Sequence, residues 1–335
     1  GGRKTSAQAM RLPLLLLTLA GVPLPGKLHA TECEPAGGVS PCLDAEGLWL
    51  ASGRAEFLGL EPTRAAPAGY VATSVGTSYA HRPVVLNVPS PDPDGRDINV
   101  VRHLVTTTVL MNYAPWSGLE LTLSAPFTPL QDGAGTEAIA SRVSPPLVST
   151  AVRDPRLGVA YVTPLTEFSN LRAQADVMLP LGDEHALAGD PALGIAPRVT
   201  IGAELAPVQL SGALGARIRE SVPFASARWG SELSSALGLA APLLAKQRLS
   251  VALEGHLRSS LLEQPGGAVL APAEWLLSLR SAPFADEAVV LQLGGGTALP
   301  LSSAQRDGET QHFAGLTAPR VRGVFVVRYA PRVSP

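Results

Sequence analysis

From Lys246 to Leu261 polar and apolar positions alternate strictly. Arg248, Ser250, Ala252, Glu254, His256 and Arg258 fall on one side of an extended chain, and Leu249, Val251, Leu253, Gly255 and Leu257 on the other. A period of two marks a strand with two unlike faces. The same alternation sets Leu171, Ala173, Ala175, Val177 and Leu179 against Arg172, Gln174 and Asp176, and Ile195, Pro197, Val199, Ile201, Ala203 and Leu205 against Arg198, Thr200 and Glu204. It returns where Val208, Leu210, Gly212, Leu214, Ala216 and Ile218 oppose Gln209, Ser211, Arg217 and Arg219, and where Leu233, Leu237, Leu239 and Ala241 oppose Glu232, Ser234, Ala236 and Gly238. A helix needs apolar spacings of three and four, which these segments lack. A soluble sandwich would turn one such face to a core and the other to water. Recurrence along most of the chain points instead to a closed wall, with leucines toward lipid and ionisable groups toward a lumen.

The pattern predicts strands at 69–80, 101–114, 118–127, 155–163, 170–180, 194–205, 208–219, 231–241, 247–259, 273–281, 287–299 and 319–330, about twelve in all. The connectors alternate in length. Long ones hold His81–Val100, Thr128–Asp154, Leu181–Leu193, Glu220–Gly230, Ser260–Pro272 and Pro300–Ala318; short ones hold Pro115–Ser117, Pro164–Ser169, Ala206–Pro207, Pro242–Lys246 and Ala282–Asp286. Outer-membrane barrels show this asymmetry, with tight periplasmic turns and larger external loops. The fold class is therefore all-β, a transmembrane antiparallel β-barrel of about twelve strands over residues 69–330, followed by a short tail at 331–335. An even strand count and a long first connector put both termini on the periplasmic side.

Composition agrees with many strands and punctuated turns: of 335 residues 46% are hydrophobic and only 16% charged, with 33 Gly and 31 Pro. A net charge of −2 leaves no basic footprint for nucleic acid. Aromatics, at 5%, are few for the interfacial girdles of a barrel. Near the start, Met10 and Arg11 precede the apolar run Leu14–Val22, and Leu28-His29-Ala30 offers a small residue at a cleavage point. That run is too short for a membrane helix, so residues 1–30 read as a leader and signal peptide. No other run approaches the ~20 apolar residues of a spanning helix, so an integral protein must be a barrel. Cys33 and Cys42, the only cysteines, follow closely and read as a disulfide in an oxidising compartment. Residues 31–68 are then a periplasmic N-terminal segment or a plug; the pattern leaves both open.

Several segments carry a resemblance: SVGTSYAHRPVVL (74–86), DPRLGVAYVTPL (154–165), the stretch 230–261, APAEWLLSLRSA (271–282) and GLTAPRVRGVFVVRY (315–329). Together they resemble the N-terminal β-barrel of OmpA-type outer-membrane proteins of myxobacteria and related deltaproteobacteria, over most of the chain after the leader. Tyr79-Ala80-His81, Asp154 to Gly158 and Gly315 to Arg320 stand where those relatives carry a turn, a strand opening and the lead into the closing strand. The sequence stops at Pro335 without the linker repeats and the peptidoglycan-binding domain, so anchoring to the cell wall is not implied. In the closing strand Gly323, Phe325, Val327 and Tyr329 alternate with Val324, Val326 and Arg328. The resemblance implies that the barrel-insertion machinery reads this strand. Outer-membrane lipid and lipopolysaccharide are the partners expected of such a barrel.

The chemistry is carried by an inward charged ladder: Arg172, Asp176, Arg198, Glu204, Arg217, Arg219, Glu232, Glu254, His256, Arg258, Glu274 and Arg280. Buried charges are normally paired, so the plain reading is a polar lining; the sharper one is a constriction that selects small solutes. His256 with Ser259 and Ser260 invites a hydrolase reading, but His256 and Ser259 point to opposite faces of a strand and no Gly-x-Ser-x-Gly elbow is present. Asp92, Asp94 and Asp97 lack the spacing and terminal Glu of a calcium loop, and Gly294, Gly295 and Gly296 lack a nucleotide-binding setting and relieve crowding in the wall. No cofactor, metal or catalytic residue is assigned. The expected function is a structural or porin-like barrel that passes small solutes. The alternatives are a barrel hydrolase of lipid or peptide, and a soluble secreted β-sandwich.

Overall fold

The computed structural model describes residue 33 and residues 40–88, 96–136, 147–183, 186–224, 227–243, 249–284, 288–306, 309–313 and 316–331. Among these residues twelve antiparallel strands close into a barrel. They are β1 (Tyr70–Val88), β2 (Arg96–Trp116), β3 (Leu119–Asp132), β4 (Arg156–Pro164), β5 (Ser169–Met178), β6 (Gly194–Leu205), β7 (Val208–Arg217), β8 (Glu232–Pro242), β9 (Leu249–Ser260), β10 (Ala273–Ser281), β11 (Val289–Leu299) and β12 (Val321–Tyr329). Each strand pairs with its neighbour in sequence. The wall shuts where β12 returns to β1, with Thr73 opposite Tyr329 and His81 opposite Val321. Closure leaves no unpaired edge, the condition for spanning a bilayer with strands.

Alternation does what the sequence requires of it. Leu214 and Leu237 are 70% and 73% exposed on the outer surface, among Val109, Leu253, Leu277 and Phe325, while Arg172, Glu254, Gln292 and Arg328 point inward and are buried. Apolar surface this extensive is not tolerated in water and marks a lipid-facing wall. The few aromatics are concentrated where they count. Tyr113, Trp116, Tyr161, Phe168 and Tyr329 are exposed at the end of the barrel that carries the short turns, and Tyr79, Phe127 and Trp275 lie toward the other end. A low aromatic content is thus compatible with interfacial belts, because most of it faces outward.

One hairpin is longer than its pattern. β1 and β2 stay paired as far as Val88 and Arg96, beyond the expected 69–80 and 101–114, with register irregularities between His81 and Val85. Apolar-out alternation lapses past His81, so backbone pairing continues with no periodic signal to show it.

Residues 40–67 run through the lumen as an extended segment. Ser40 donates its N–H to Pro223 O (2.9 Å) and Ala45 to Leu187 O (3.0 Å), both in long connectors, whereas Ala66 O accepts from Gly118 N in the β2–β3 turn (3.2 Å). The segment therefore enters at the long-connector end and leaves at the short-turn end. Cys33, bonded to Cys42, lies among the long connectors, whereas Tyr329 and Ala330 lie with the short turns. A chain that threads the lumen reaches the far mouth without an extra strand.

Candidate functional site

The lumen is built from three layers of contact between the threaded segment and the wall. Apolar side chains of the segment dock where the wall has no side chain at all. A Cβ added to Gly76 of β1 would fall 2.3 Å from Leu50, one on Gly294 of β11 2.7 Å from Leu58, and one on Gly238 of β8 2.6 Å from both Leu60 and Phe57. Gly202 of β6 gives the same room to Thr63. These inward glycines are recesses cut to the segment, and each leucine seated in one contributes roughly 1.5–3 kcal/mol of burial.

The second layer is polar and fixes the backbone of the segment. Glu254 of β9 accepts the N–H groups of Leu58 and Gly59, the latter at 2.9 Å, and the ring of His256 stands 3.1 Å from the same carboxylate. Arg328 of β12 donates to Ala51 O and to Phe57 O (3.2 Å), and Gln292 of β11 donates to Glu56 O (3.2 Å). Arg172 of β5 donates to Glu120 (2.7 Å) and to Pro62 O (3.3 Å). Arg322 of β12 joins Glu46 of the segment (2.6 Å) to Glu274 of β10 (2.8 Å). Charged groups in a narrow interior are tolerable only when satisfied in this way.

The third layer is a lid at the long-connector end. Leu43 packs with Leu187, Phe224, Trp229, Leu270 and Leu316, drawn from the segment and several connectors, in one apolar cluster that contains the Cys33–Cys42 disulfide. Beneath it Asp154 accepts N–H groups from Gly182 and Asp190, both at 2.7 Å, and Asp190 takes Arg219 (3.0 Å). Burial pushes the Asp154 carboxyl up to about 7, and the nearby Asp190 charge adds to the rise against the two N–H groups. At the opposite mouth a cavity of about 500 Å³ opens between the end of the segment and the short turns.

The charged ladder read from the sequence lies on the inner face. Arg172, Glu254, Glu274 and His256 hold the segment or its partners, as described. Arg217 and Arg258 share Glu232 (3.3 and 3.5 Å), with Arg219 at 3.7 Å from the same residue. Asp176 accepts from Gln174 (2.9 Å). Glu204 pairs with Arg64, and Arg280 with Glu56 (3.0 Å), around the open mouth. Arg198 stands over Trp49, with Arg156 and Arg217. The hydrolase reading finds His256 on a carboxylate of its own strand. The residues Asp92 and Asp94 lie outside the described residues, and Asp97 pairs with Arg82 (2.6 Å).

Sequence reasoning missed Trp49, Glu120, Arg156, Arg322 and Arg328 as lumen residues. In the closing strand Arg328 alternates with Tyr329, and Arg322, Arg156 and Glu120 obey the same alternation beside Val321, Leu157 and Leu121. Trp49 sits in an aperiodic stretch that carries no such signal.

No family model matches the chain, and no curated protein matches its sequence. Solved structures do share its shape. The COG4313 outer membrane channel from Pseudomonas putida F1 superposes with a TM-score of 0.56 at 12% identity, covering 81% of this chain and 99% of that one. NanC porin covers 78% of this chain and 100% of its own at 7% identity with a TM-score of 0.45, and KdgM porin 78% and 99% at 8% identity with a TM-score of 0.41. The first likeness carries the fold argument: this chain has the closed twelve-strand barrel architecture of an outer-membrane protein.

Proposed function

We propose that the chain is an outer-membrane barrel through which small solutes pass passively, its N-terminal segment acting as a resident plug. The observation that carries the reading is a lipid-facing closed wall whose interior is lined with ionisable groups and is wide enough to admit an extended chain and still keep a cavity of about 500 Å³ at one mouth. A wall meant only to anchor would gain more from a packed apolar interior than from buried arginines, which cost several kcal/mol each to desolvate. The solved structures of similar shape are named as outer-membrane channels and porins, which supports passage rather than catalysis.

The long connectors face the outside in this reading and the short turns the periplasm. At the rim of the long-connector end Arg82, Arg102 and Arg320 cluster beside His81, with Asp97 shared by Arg82 and Arg320, a patch of net positive charge suited to phosphorylated lipid such as lipopolysaccharide. Export by the leader at 1–30, recognition of the closing strand by insertion machinery and kinship with OmpA-type barrels belong to the same reading. Planar-bilayer recording of the purified barrel tests it. Discrete conductance steps in KCl, with swelling of proteoliposomes in small sugars or amino acids, are expected; an inserted, heat-modifiable barrel that yields neither overturns the proposal.

A further inference from the structure

Three arginines from β4, β6 and β7 converge on one ring of the plug. The guanidinium carbons of Arg217 and Arg156 stand 3.8 and 4.0 Å from the centroid of Trp49, and that of Arg198 stands 5.7 Å away. An aromatic face attracts a cation by about 0.5–2 kcal/mol and neutralises none of its charge. Of the carboxylates near the cluster, one is shared among several arginines and two are bonded to neutral donors and keep their charge. Glu232 is divided among Arg217, Arg219 and Arg258. Asp176 is held by Gln174, and Glu61 by the N–H and hydroxyl of Ser52 (3.1 and 3.0 Å). Arg156 donates to Ser124 (2.7 Å), a neutral acceptor. Among the described residues Arg198 has no hydrogen-bond or ion-pair partner, and the buried Nε of Arg217 has none either. Around the two inner cavities beside Trp49, Arg156, Arg198, Arg217 and Arg258 thus face Glu61, Asp176 and Glu274, and Glu274 is itself taken by Arg322 (2.8 Å), so positive charge is in excess.

The cluster also lies where free space past the plug is found. Glu61 lines both the 500 Å³ mouth cavity and a small cavity of about 20 Å³, and Trp49 and Arg198 line both that one and another of about 50 Å³. A passage joining these cavities along this side of the plug runs past Trp49 and Arg198.

We infer that the space lined by Trp49 and Arg198, with Arg156 and Arg217 stacked on the same ring, is the selective constriction of the passage and that it takes anions, whether chloride or small solutes bearing a carboxylate, sulfate or phosphate. The inference rests on the proposed passive passage. An anion entering the gap meets guanidinium donors that lack a full countercharge, whereas a cation meets net repulsion. Arg198 is the residue that sets the preference, being the one whose donors are uncommitted.

Reversal potentials in a KCl gradient across a planar bilayer test this, with wild type, Arg198→Gln and Arg198→Glu compared. Chloride is expected to permeate better than potassium in the wild type, with the ratio lowered at least about threefold in Arg198→Glu and Arg198→Gln between the two. Should Arg198→Glu fail to give a heat-modifiable barrel, Arg198→Gln and Arg156→Gln carry the comparison. Conduction that favours potassium, or a ratio unmoved by the charge change, overturns the inference and leaves passive passage standing. A wild-type barrel that inserts without conducting overturns the passage itself, and the constriction with it.

Discussion

Glu254 shows how much a single inward carboxylate can decide. It sits in mid-strand on β9 and receives two consecutive backbone N–H groups of the plug, at Leu58 and Gly59. Removing it leaves both donors buried without an acceptor, each hydrogen bond to a charged group being worth about 1.5–3 kcal/mol. Glu254→Ala is therefore expected to lower the temperature at which the folded band is lost on unboiled gels, and to make conductance records noisier as the plug loosens. Glu254→Gln, which keeps one acceptor, should lie between. Asp154 behaves in the opposite sense. Its carboxyl, raised by burial from an ordinary 3.8 to about 7, contributes stability that is fully present below the unfolded value and is lost as pH rises through about 7. The lid should consequently be firmer near pH 4 than near pH 8. The difference is a few kcal/mol at most, since each tenfold change in proton affinity on folding corresponds to roughly 1.4 kcal/mol. Hydrogen exchange of the Gly182 and Asp190 amides at the two pH values measures it, and Asp154→Asn should flatten the difference.

The plug is the element on which passage turns. No strand pairing of the barrel depends on it, since its links to the wall are side-chain anchors, glycine recesses and a few backbone bonds at the two mouths. Deleting residues 40–66 is expected to leave a heat-modifiable barrel and to raise single-channel conductance several-fold, because the lumen then loses its largest obstruction. Unchanged conductance would mean that solutes never used the lumen. Filling a recess acts the other way: Gly238→Leu forces Leu60 and Phe57 out of their seat at a cost of about 1–3 kcal/mol and should itself increase leak. The plug also marks the limit of what periodicity discloses. The twelve wall strands are legible because each buries one face and exposes the other to lipid, so the period of two is enforced residue by residue. Residues 40–67 touch wall on all sides, and Leu50, Leu58 and Leu60 answer to the positions of Gly76, Gly294 and Gly238 far along the chain. The sequence shows small residues in the wall and leucines in the segment, but nothing local pairs them. The same holds for the constriction: alternation places Arg198 and Arg217 inward, while their meeting on Trp49 is set by tertiary packing alone.

At the scale of the whole molecule the decisive property is the sense of the wall, apolar out and ionisable in, and the four tryptophans report on it directly. Trp116 and Trp275 are exposed on the outer surface at opposite ends of the barrel, Trp229 is buried in the lid, and Trp49 lies in the lumen among arginines. Single-tryptophan variants reconstituted in bilayers of brominated lipid separate these settings, since bromine quenches only on close approach. Strong quenching is expected for Trp116 and Trp275, with the depth of bromination that quenches best lying near the interface for both. Trp49 and Trp229 should be quenched little, and Trp49 should be reached instead by a small water-soluble anionic quencher such as iodide. A positive quencher such as caesium should reach it less, because the guanidinium groups around it repel a cation. A barrel turned inside out, or a soluble sandwich that hides its leucines in a second layer, would give the reverse: Trp116 and Trp275 open to iodide and caesium alike and indifferent to the lipid. The orientation of every charged residue in the passage depends on which pattern is found.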